Sequence, residues 1–510
     1  MSNLNPGNFL AFVKLAVELE CPALKEHMIA QIKRSKYFSV LGDEAVDISN
    51  KEQMRYIDSK DKIRETFLKM AECKLGCSGK GLSKTIIDAV EQNNLDMNDC
   101  RGQGYDGAGA MAGKCSGAST LIKNKFPKAI YVHCASHRLN LCVAVGCKLP
   151  MVADMMSQFQ AVALFFYCSP VRTHVLKGVI EAVSPEIVHS VVLNICRTRW
   201  VARLDGLDYF CDLLPSVMLT LEKITENRDK SFSRSNMDAA RPLLLGICQF
   251  EFIAVLVIVQ KVLGYTRGLT VKLQSIESDL VKTSRNVLLL KRTLQVIRSD
   301  IDTHFNKCCN YVANGVKEYH KLAVAIPFID HILQELDTRF SIDNLSVYSG
   351  FSIMPTTILS DEGRVLVGDQ PTWKVEFSKF IQRYRDDIPA LSNLYAHMWK
   401  VKWRTFTGVL PTTLQGLLKH TDKLLFPSIH EAIRILATIP VTTCTCERSI
   451  SGLRRVKTWM RNTMTKERLN SLCVIMFNRD VTVDLDQVVD EFAAANKPIN
   501  YRLNMVYTVL

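Results

Sequence analysis

Long apolar runs are missing from this chain. The longest, such as "FIAVLVIV" at 252–259, has eight residues, far below the roughly 20 that a bilayer-spanning helix needs. No membrane segment is expected. A secretory leader is not expected either: "MSNLNPGNFLAFVKL" has no basic start and no small-residue cleavage site. No CxxC pair repeats among the 17 cysteines, an odd number. That sets aside a disulfide framework and favours a reducing compartment, cytosol or nucleus. Internal repeats and low-complexity tracts are absent too, which excludes solenoids and repeat arrays.

What is there is an ordinary globular composition with a basic balance. Hydrophobic residues make up 47% and charged residues 23% of 510 positions, and the net charge is +13. The length allows two to four domains at about 100–200 residues each. The charge favours a polyanionic partner, nucleic acid before membrane.

Along the chain, residues 1–36 read as helical. "KYFSVLGDEAVDIS" reads as a strand ending at 42–43, and "KIRETFLKMAEC" as a further strand. "SKTIIDAVEQNNLD" reads as a helix capped by Ser83, and "SGASTLIKNKFP" as one stopped by Pro127. "AIYVHCA" is another strand. Residues 37–135 thus predict β, β, α, β, α, β, a mixed sheet with helices. From about 138 to about 430 the pattern is mostly helical. A single long helix is expected from about 273 to 314, where Leu280, Val287, Leu294 and Ile301 recur every seven residues. The polar stretch at 229–242 reads as an exposed loop, and 340–372 as irregular. After Pro440 two helices are expected, with a break near 463–465. Between Glu447 and Arg468 stand seven Lys or Arg against two Glu, a local net of +5, consistent with a solvated face or with nucleic-acid contact.

Three carboxylates stand at element boundaries. Asp43 closes the first strand, Asp106 sits in the glycine-rich stretch "GQGYDGAGAMAG", and Glu447 opens the basic C-terminal helix. Hard divalent ions take oxygen ligands from a few carboxylates plus substrate phosphate, and a metal pair can drive an in-line phosphoryl displacement. A chain with 51 acidic residues offers many such trios by accident.

Five motifs in order carry a resemblance: "FSVLGDEAVDISNKEQ", "RGQGYDGAGAMAGKCSGA", "YVHCASHRLNLCV", "CRTRWVARLDGL" and "TCTCERSISGLRRVKTWMRNTMTKERLNSL". Together they resemble the hAT superfamily of DNA transposases, in the branch that gave rise to the zinc finger MYM-type and THAP-derived host proteins. The resemblance implies an α/β fold: an RNase H-like core interrupted by a large all-α insertion and completed by a C-terminal dimerisation segment. The expected domains are an N-terminal helical segment at 1–36, the first part of the core at 37–137, the helical insertion at 138–430, the dimerisation segment at 431–480 and a tail at 481–510.

The resemblance also assigns residues. Asp43, Asp106 and Glu447 become the catalytic and metal-holding acids of a DDE motif, with Mg²⁺ or Mn²⁺ as cofactor; Asp47 is the alternative first acid. On this reading the glycines let backbone approach DNA while Asp106 holds a metal against the scissile phosphate. Cys134 and His137 form a C-x-x-H element. Two ligands do not make a tetrahedral zinc site, and with Cys142 and Cys147 nearby a packing role is preferred to zinc; His137 instead helps to position DNA. Arg199 and Trp200 resemble the family's R-W pair, whose indole stacks on a flipped base. Arg448, Arg454 and Arg455 are the basic residues expected on DNA.

Two departures bear on activity. "NKEQMRYID" leaves little room for the family's full second strand, so a shortened first hairpin is expected to loosen Asp43. No BED or THAP zinc finger is expected ahead of the core. The sequence reading is therefore a transposase-derived protein that forms a homodimer or higher oligomer through its C-terminal segment and binds DNA, with catalysis lost or impaired. The alternative is an active transposase performing divalent-metal-dependent cleavage and strand transfer. DNA as partner implies a nuclear location, otherwise a cytoplasmic one.

Overall fold

The computed structural model describes residues 22–45, 49–187, 191–192, 200–228, 230–275, 279–306, 318–340, 348–360, 372–456 and 466–478. In chain order the elements begin with α1 (Pro22–Ser35), β1 (Phe38–Ala45), β2 (Ser49–Ile57), β3 (Ile63–Glu72), α2 (Gly79–Gln92), β4 (Cys100–Tyr105), α3 (Gly109–Ala112), α4 (Ala118–Lys125) and β5 (Ile130–His133). A long helical stretch follows: α5 (Ala135–Gly146), α6 (Pro150–Tyr167), α7 (Pro170–Val183), α8 (Trp200–Glu226), α9 (Arg234–Ile247), α10 (Phe250–Leu273), α11 (Leu280–Ser299), α12 (Ile301–Asn306) and α13 (Ile326–Arg339). The last helices are α14 (Pro355–Ser360), α15 (Thr372–Arg383), α16 (Asn393–Arg404), α17 (Leu414–Lys419), α18 (Pro427–Thr438), α19 (Cys444–Val456) and α20 (Lys466–Phe477). The chain is mostly helical with one mixed sheet.

It folds as two units. The sheet-bearing unit draws on Met1–Ala135, Gln274–Thr283 and Asp343–Leu510; the helical unit draws on Ser136–Leu273 and Ser284–Ile342.

In the first unit the strand order is β3-β2-β1-β4-β5. β1 pairs antiparallel with β2, and β2 with β3, whereas β1–β4 and β4–β5 are parallel. Both faces are covered. On one face Phe38, Val40, Met54, Tyr56 and Phe67 meet Met28 and Ile32 of α1, Leu82, Ile86 and Val90 of α2, and Cys473 and Val474 of α20. Such a core holds the sheet because each fully buried large side chain contributes about 1.5–3 kcal/mol. The other face carries Ser39, Leu41, Gln53, Arg55, Gly102 and Gly104, and receives the segment from α18 to α19.

The helical unit is built on heptad-like burial. Leu207, Phe210, Leu213, Val217, Leu221 and Ile224 line α8 at three- and four-residue spacing. Phe210 lies 4.6 Å from Phe159 and 6.2 Å from Phe252, centroid to centroid. α10 is long and apolar enough to cross a bilayer by length and composition, yet over half of its most apolar stretch is buried, the pattern of a core helix.

Several expectations are corrected. The second strand is complete: β2 has nine residues, and eight of them pair with β1. Its polar run at 50–53 hides a strand from propensity, but ladders on both sides hold it. The first hairpin is therefore not shortened. Asp43 does not close β1; it lies inside the strand, in register with Lys51. The cap of α2 is Ser78, whose hydroxyl accepts from the Gly81 amide, and Ser83 is inside the helix. The stretch at 229–242 is largely helix α9, capped by Ser233; its polarity marks an exposed helical face. The single helix expected at 273–314 is interrupted. α11 starts at Leu280, where the Asp279 carboxylate accepts from the Lys282 amide at 2.8 Å, and it ends at Ser299. The heptad residues Leu280, Val287, Leu294 and Ile301 are buried as expected. Residues 1–21 and the break at 463–465 lie outside the described residues.

Candidate functional site

The site is built where the carboxyl ends of β1 and β4 meet the segment entering α19. The parallel register pairs Leu41 with Gly104. Asp43 follows Leu41 by two residues within β1, and Asp106 follows Gly104 by two, one residue past the end of β4. The side chain of Asp43 lies outside the described residues, and so does Asp47.

Asp106 directly follows β4 and is half-buried. Its Oδ1 accepts from the Ala108 amide at 3.2 Å, and its backbone carbonyl accepts from the Tyr131 hydroxyl at 3.0 Å. These bonds fix the turn that the carboxylate stands on.

The glycines around it serve packing. A Cβ on Gly102 would sit 2.6 Å from Pro440 Cδ and from Ser39 Oγ. On Gly104 it would sit 2.9 Å from Leu41 Cδ2 and 3.0 Å from Pro440 Cγ. On Gly107 it would meet the His133 ring at 2.7 Å. None of these three glycines has a positive φ. The stretch is therefore glycine-rich at 102 and 104 because the returning C-terminal segment lies against it, which replaces the expectation of a DNA-facing cradle there.

That segment is pinned at both ends. Beside β5, the Ala135 amide donates to the Val441 carbonyl at 2.9 Å, and the Thr443 amide to Cys134 Sγ at 3.2 Å. Over the antiparallel strands, Arg55 and Glu65 form an ion pair of 2.7 Å, with both side chains at most 3% exposed. Arg55 Nε also donates to the Ala437 carbonyl at 3.2 Å, and Thr445 Oγ1 to Glu65 Oε2 at 2.7 Å. Gln53 Nε2 donates to Ser449 Oγ at 2.6 Å. Glu447 thus sits in the first turn of α19, half-buried, between Thr445 and Ser449 that both bond to the hairpin. Sequence reading missed this support. The available signal was charge at positions that alternate with apolar ones, Arg55 between Met54 and Tyr56 and Glu65 two before Phe67.

The remaining candidates are dispersed. Arg448 is exposed, and its Nη1 donates to the Gln274 carbonyl at 2.7 Å. Arg454 and Arg455 are on α19, but their side chains lie outside the described residues. Trp200 is the first residue of α8, with its side chain likewise outside, and Arg199 is outside altogether. Cys134 is buried after β5, and His137 is half-buried in the first turn of α5. Burial pushes the Cys142 thiol up to about 12, so it stays protonated at neutral pH. Among the described residues no three His, Cys, Asp or Glu side chains form a metal-binding group; the Asp43 side chain is not among them.

Residues 11–117 match the family model described as ZMYM1/FAM200, RNase-like domain. Residues 416–480, from within α17 past α20, match the hAT family C-terminal dimerisation region. The mouse and human proteins named 52 kDa repressor of the inhibitor of the protein kinase are each 25% identical to the chain, over 508 and 509 residues. Each alignment covers 92% of this chain and 65% of the relative, so the chain spans just under two thirds of those proteins. The sheet thus carries a match to an RNase-like domain and the segment that returns to it a match to a hAT dimerisation region, and in both the chain is similar to hAT-derived proteins.

Proposed function

We propose that this protein is hAT-derived, self-associates through residues 416–480 and binds nucleic acid, acting in the nucleus. The observation that carries this reading is the hAT dimerisation match on the segment docked across the sheet. The net charge of +13 supports a polyanionic partner. The sheet, with three antiparallel strands followed by two parallel ones, fits an RNase H-like core, and the helical unit fits an insertion into it.

A catalytic reading is favoured by a second observation. The hairpin is complete, and the β1–β4 register, with Leu41 beside Gly104, supports a reading in which Asp43 and Asp106 lie near one another. The ground for expecting a loosened Asp43 is removed. Carboxylates suit Mg²⁺ or Mn²⁺, and Asp43, Asp106 and Glu447 would hold such an ion, which supplies charge neutralisation and an activated nucleophile at a scissile phosphate. The chain's own part is rigidity. The bonds of Thr445 to Glu65 on β3 and of Ser449 to Gln53 on β2 hold the first turn of α19, and the Ala108 amide orients Asp106.

The test uses the full chain with labelled duplex DNA, with Mn²⁺ or with chelator. Binding that weakens steeply with salt is expected for wild type; absence of binding at low salt overturns the nucleic-acid reading. If Mn²⁺-dependent nicking occurs, Glu447→Gln is expected to abolish it while DNA binding and self-association persist. Nicking that survives Glu447→Gln would sink the role of Glu447, and no nicking by wild type would leave the binding reading alone.

A further inference from the structure

The turn at 422–426 exposes apolar side chains that its own geometry does not need outside. Leu424 is 88% and Leu425 51% exposed. The turn is nevertheless firmly built. The Asp422 carboxylate accepts from the Leu424 amide at 2.7 Å and from the Leu425 amide at 3.1 Å. These amides hold the Asp422 carboxyl below the usual carboxylate range. Phe426 anchors the far side, buried edge-on against Trp399 at 4.9 Å. Trp399 continues into an aromatic cluster with Trp403, Phe406 and His420. Val409, 91% exposed, stands three residues after Phe406.

Single exposed leucines are common. Two adjacent leucines on a turn held by a carboxylate and an aromatic anchor are a different case. A rigid apolar tip loses little freedom on being covered, so its burial converts efficiently into affinity. The turn lies inside the region matched to hAT C-terminal dimerisation, residues 416–480. Its neighbouring charges, Asp422 and Lys423, are exposed and of opposite sign. A two-fold-related copy of the same turn therefore meets a complementary surface without net like charge.

We infer that the Leu424–Leu425 tip is an anchor of the self-association surface and that its occupant is a second copy of this chain. The inference rests on the self-association reading above and names its contact. The two are separable by sedimentation velocity on the full chain over a concentration series. Wild type is expected to dimerise. The double variant Leu424→Glu with Leu425→Glu is expected to weaken the dimer about 100-fold or more, since buried leucines are lost and like charges brought together. Its far-UV spectrum should match wild type, because the tip is exposed, and its melting midpoint should match that of wild type diluted to monomer. Leu75→Glu, at a 56% exposed leucine of the same unit outside the matched region, should leave the dimer intact. Leu424→Cys adds a readout that does not depend on loss. Mild oxidation should give a reducible covalent dimer beyond that of wild type under the same oxidant. A wild-type dimer that the double variant preserves, with no added crosslink at 424, overturns this inference and leaves self-association standing. A wild type that stays monomeric at all concentrations overturns both. Dimer loss in Leu75→Glu as well would show a general charge effect and overturn the assignment to the tip.

Discussion

The segment running from α18 into α19 docks on one sheet face in two different ways. Over the antiparallel strands it is held by buried polar groups: Arg55, Glu65, Gln53, Thr445 and Ser449. Over the parallel strands it is held by shape, with Pro440 against Gly102 and Gly104. The first dock is directional and intolerant of a missing partner. The second is intolerant of a single added methyl. A buried charge left alone keeps its full desolvation cost, whereas an overpacked contact can relax by small shifts. The comparison predicts that the polar dock is the more fragile.

Glu65→Ala sets the upper end. It leaves Arg55 buried beside the Ala437 carbonyl without its carboxylate and removes the acceptor of Thr445. A loss of about 3–5 kcal/mol is expected, measured by urea unfolding of the full chain. The paired replacement Arg55→Met with Glu65→Leu should cost clearly less; an equal cost would mean that shape, not charge, governs this dock too.

Gly104→Ala tests the other dock. Its Cβ would lie about as close to Leu41 as to Pro440, at 2.9 and 3.0 Å. A loss of about 1–3 kcal/mol is expected. Gly109 is the internal control, since a Cβ there meets nothing within 4 Å; Gly109→Ala should be neutral or stabilise by about 0.4–1 kcal/mol. A harmful Gly109→Ala beside a silent Gly104→Ala would reverse the assignment of the glycines and return the stretch to ligand binding.

The smallest effect is a pH slope. Burial pushes the His430 imidazole on α18 below its usual value, while Glu431 works the other way. As pH falls from about 6.5, the unfolded chain takes this proton first. Stability is therefore retained above that value and declines as pH drops through the lowered folded-state pKa. Melting midpoints from pH 7.5 to 5.5 should fall more steeply for wild type than for His430→Gln. Equal slopes would remove His430 from the account of how α18 is seated.

Much of the local structure was legible before folding. Phe38, Val40 and the apolar face of α2 mark their elements by period, and Pro127 stops α4. The heptad of α11 marks its buried face, though not its ends, because Asp279 caps the helix from a segment whose other carboxylate oxygen binds the Leu414 amide. The polar strand β2 was illegible for a related reason. Its inward residues Gln53 and Arg55 look wrong for a strand until their partners arrive from almost 400 positions away.

The candidate site divides in the same way. Order of motifs along the chain identified Asp43, Asp106 and Glu447 as candidates, and a carboxylate beside a glycine run is visible in any reading of "GQGYDGAGAMAG". What the glycines are for was not visible, because their neighbour Pro440 is over 330 residues distant in sequence. The sequence by itself determined most of the elements, the basic balance and the chemical types available, since these follow from local period, charge and side-chain chemistry. Only tertiary structure decided the strand order, the pairing of Leu41 with Gly104, and the docking of α19, because pairing register and burial are relations between residues that the chain keeps far apart.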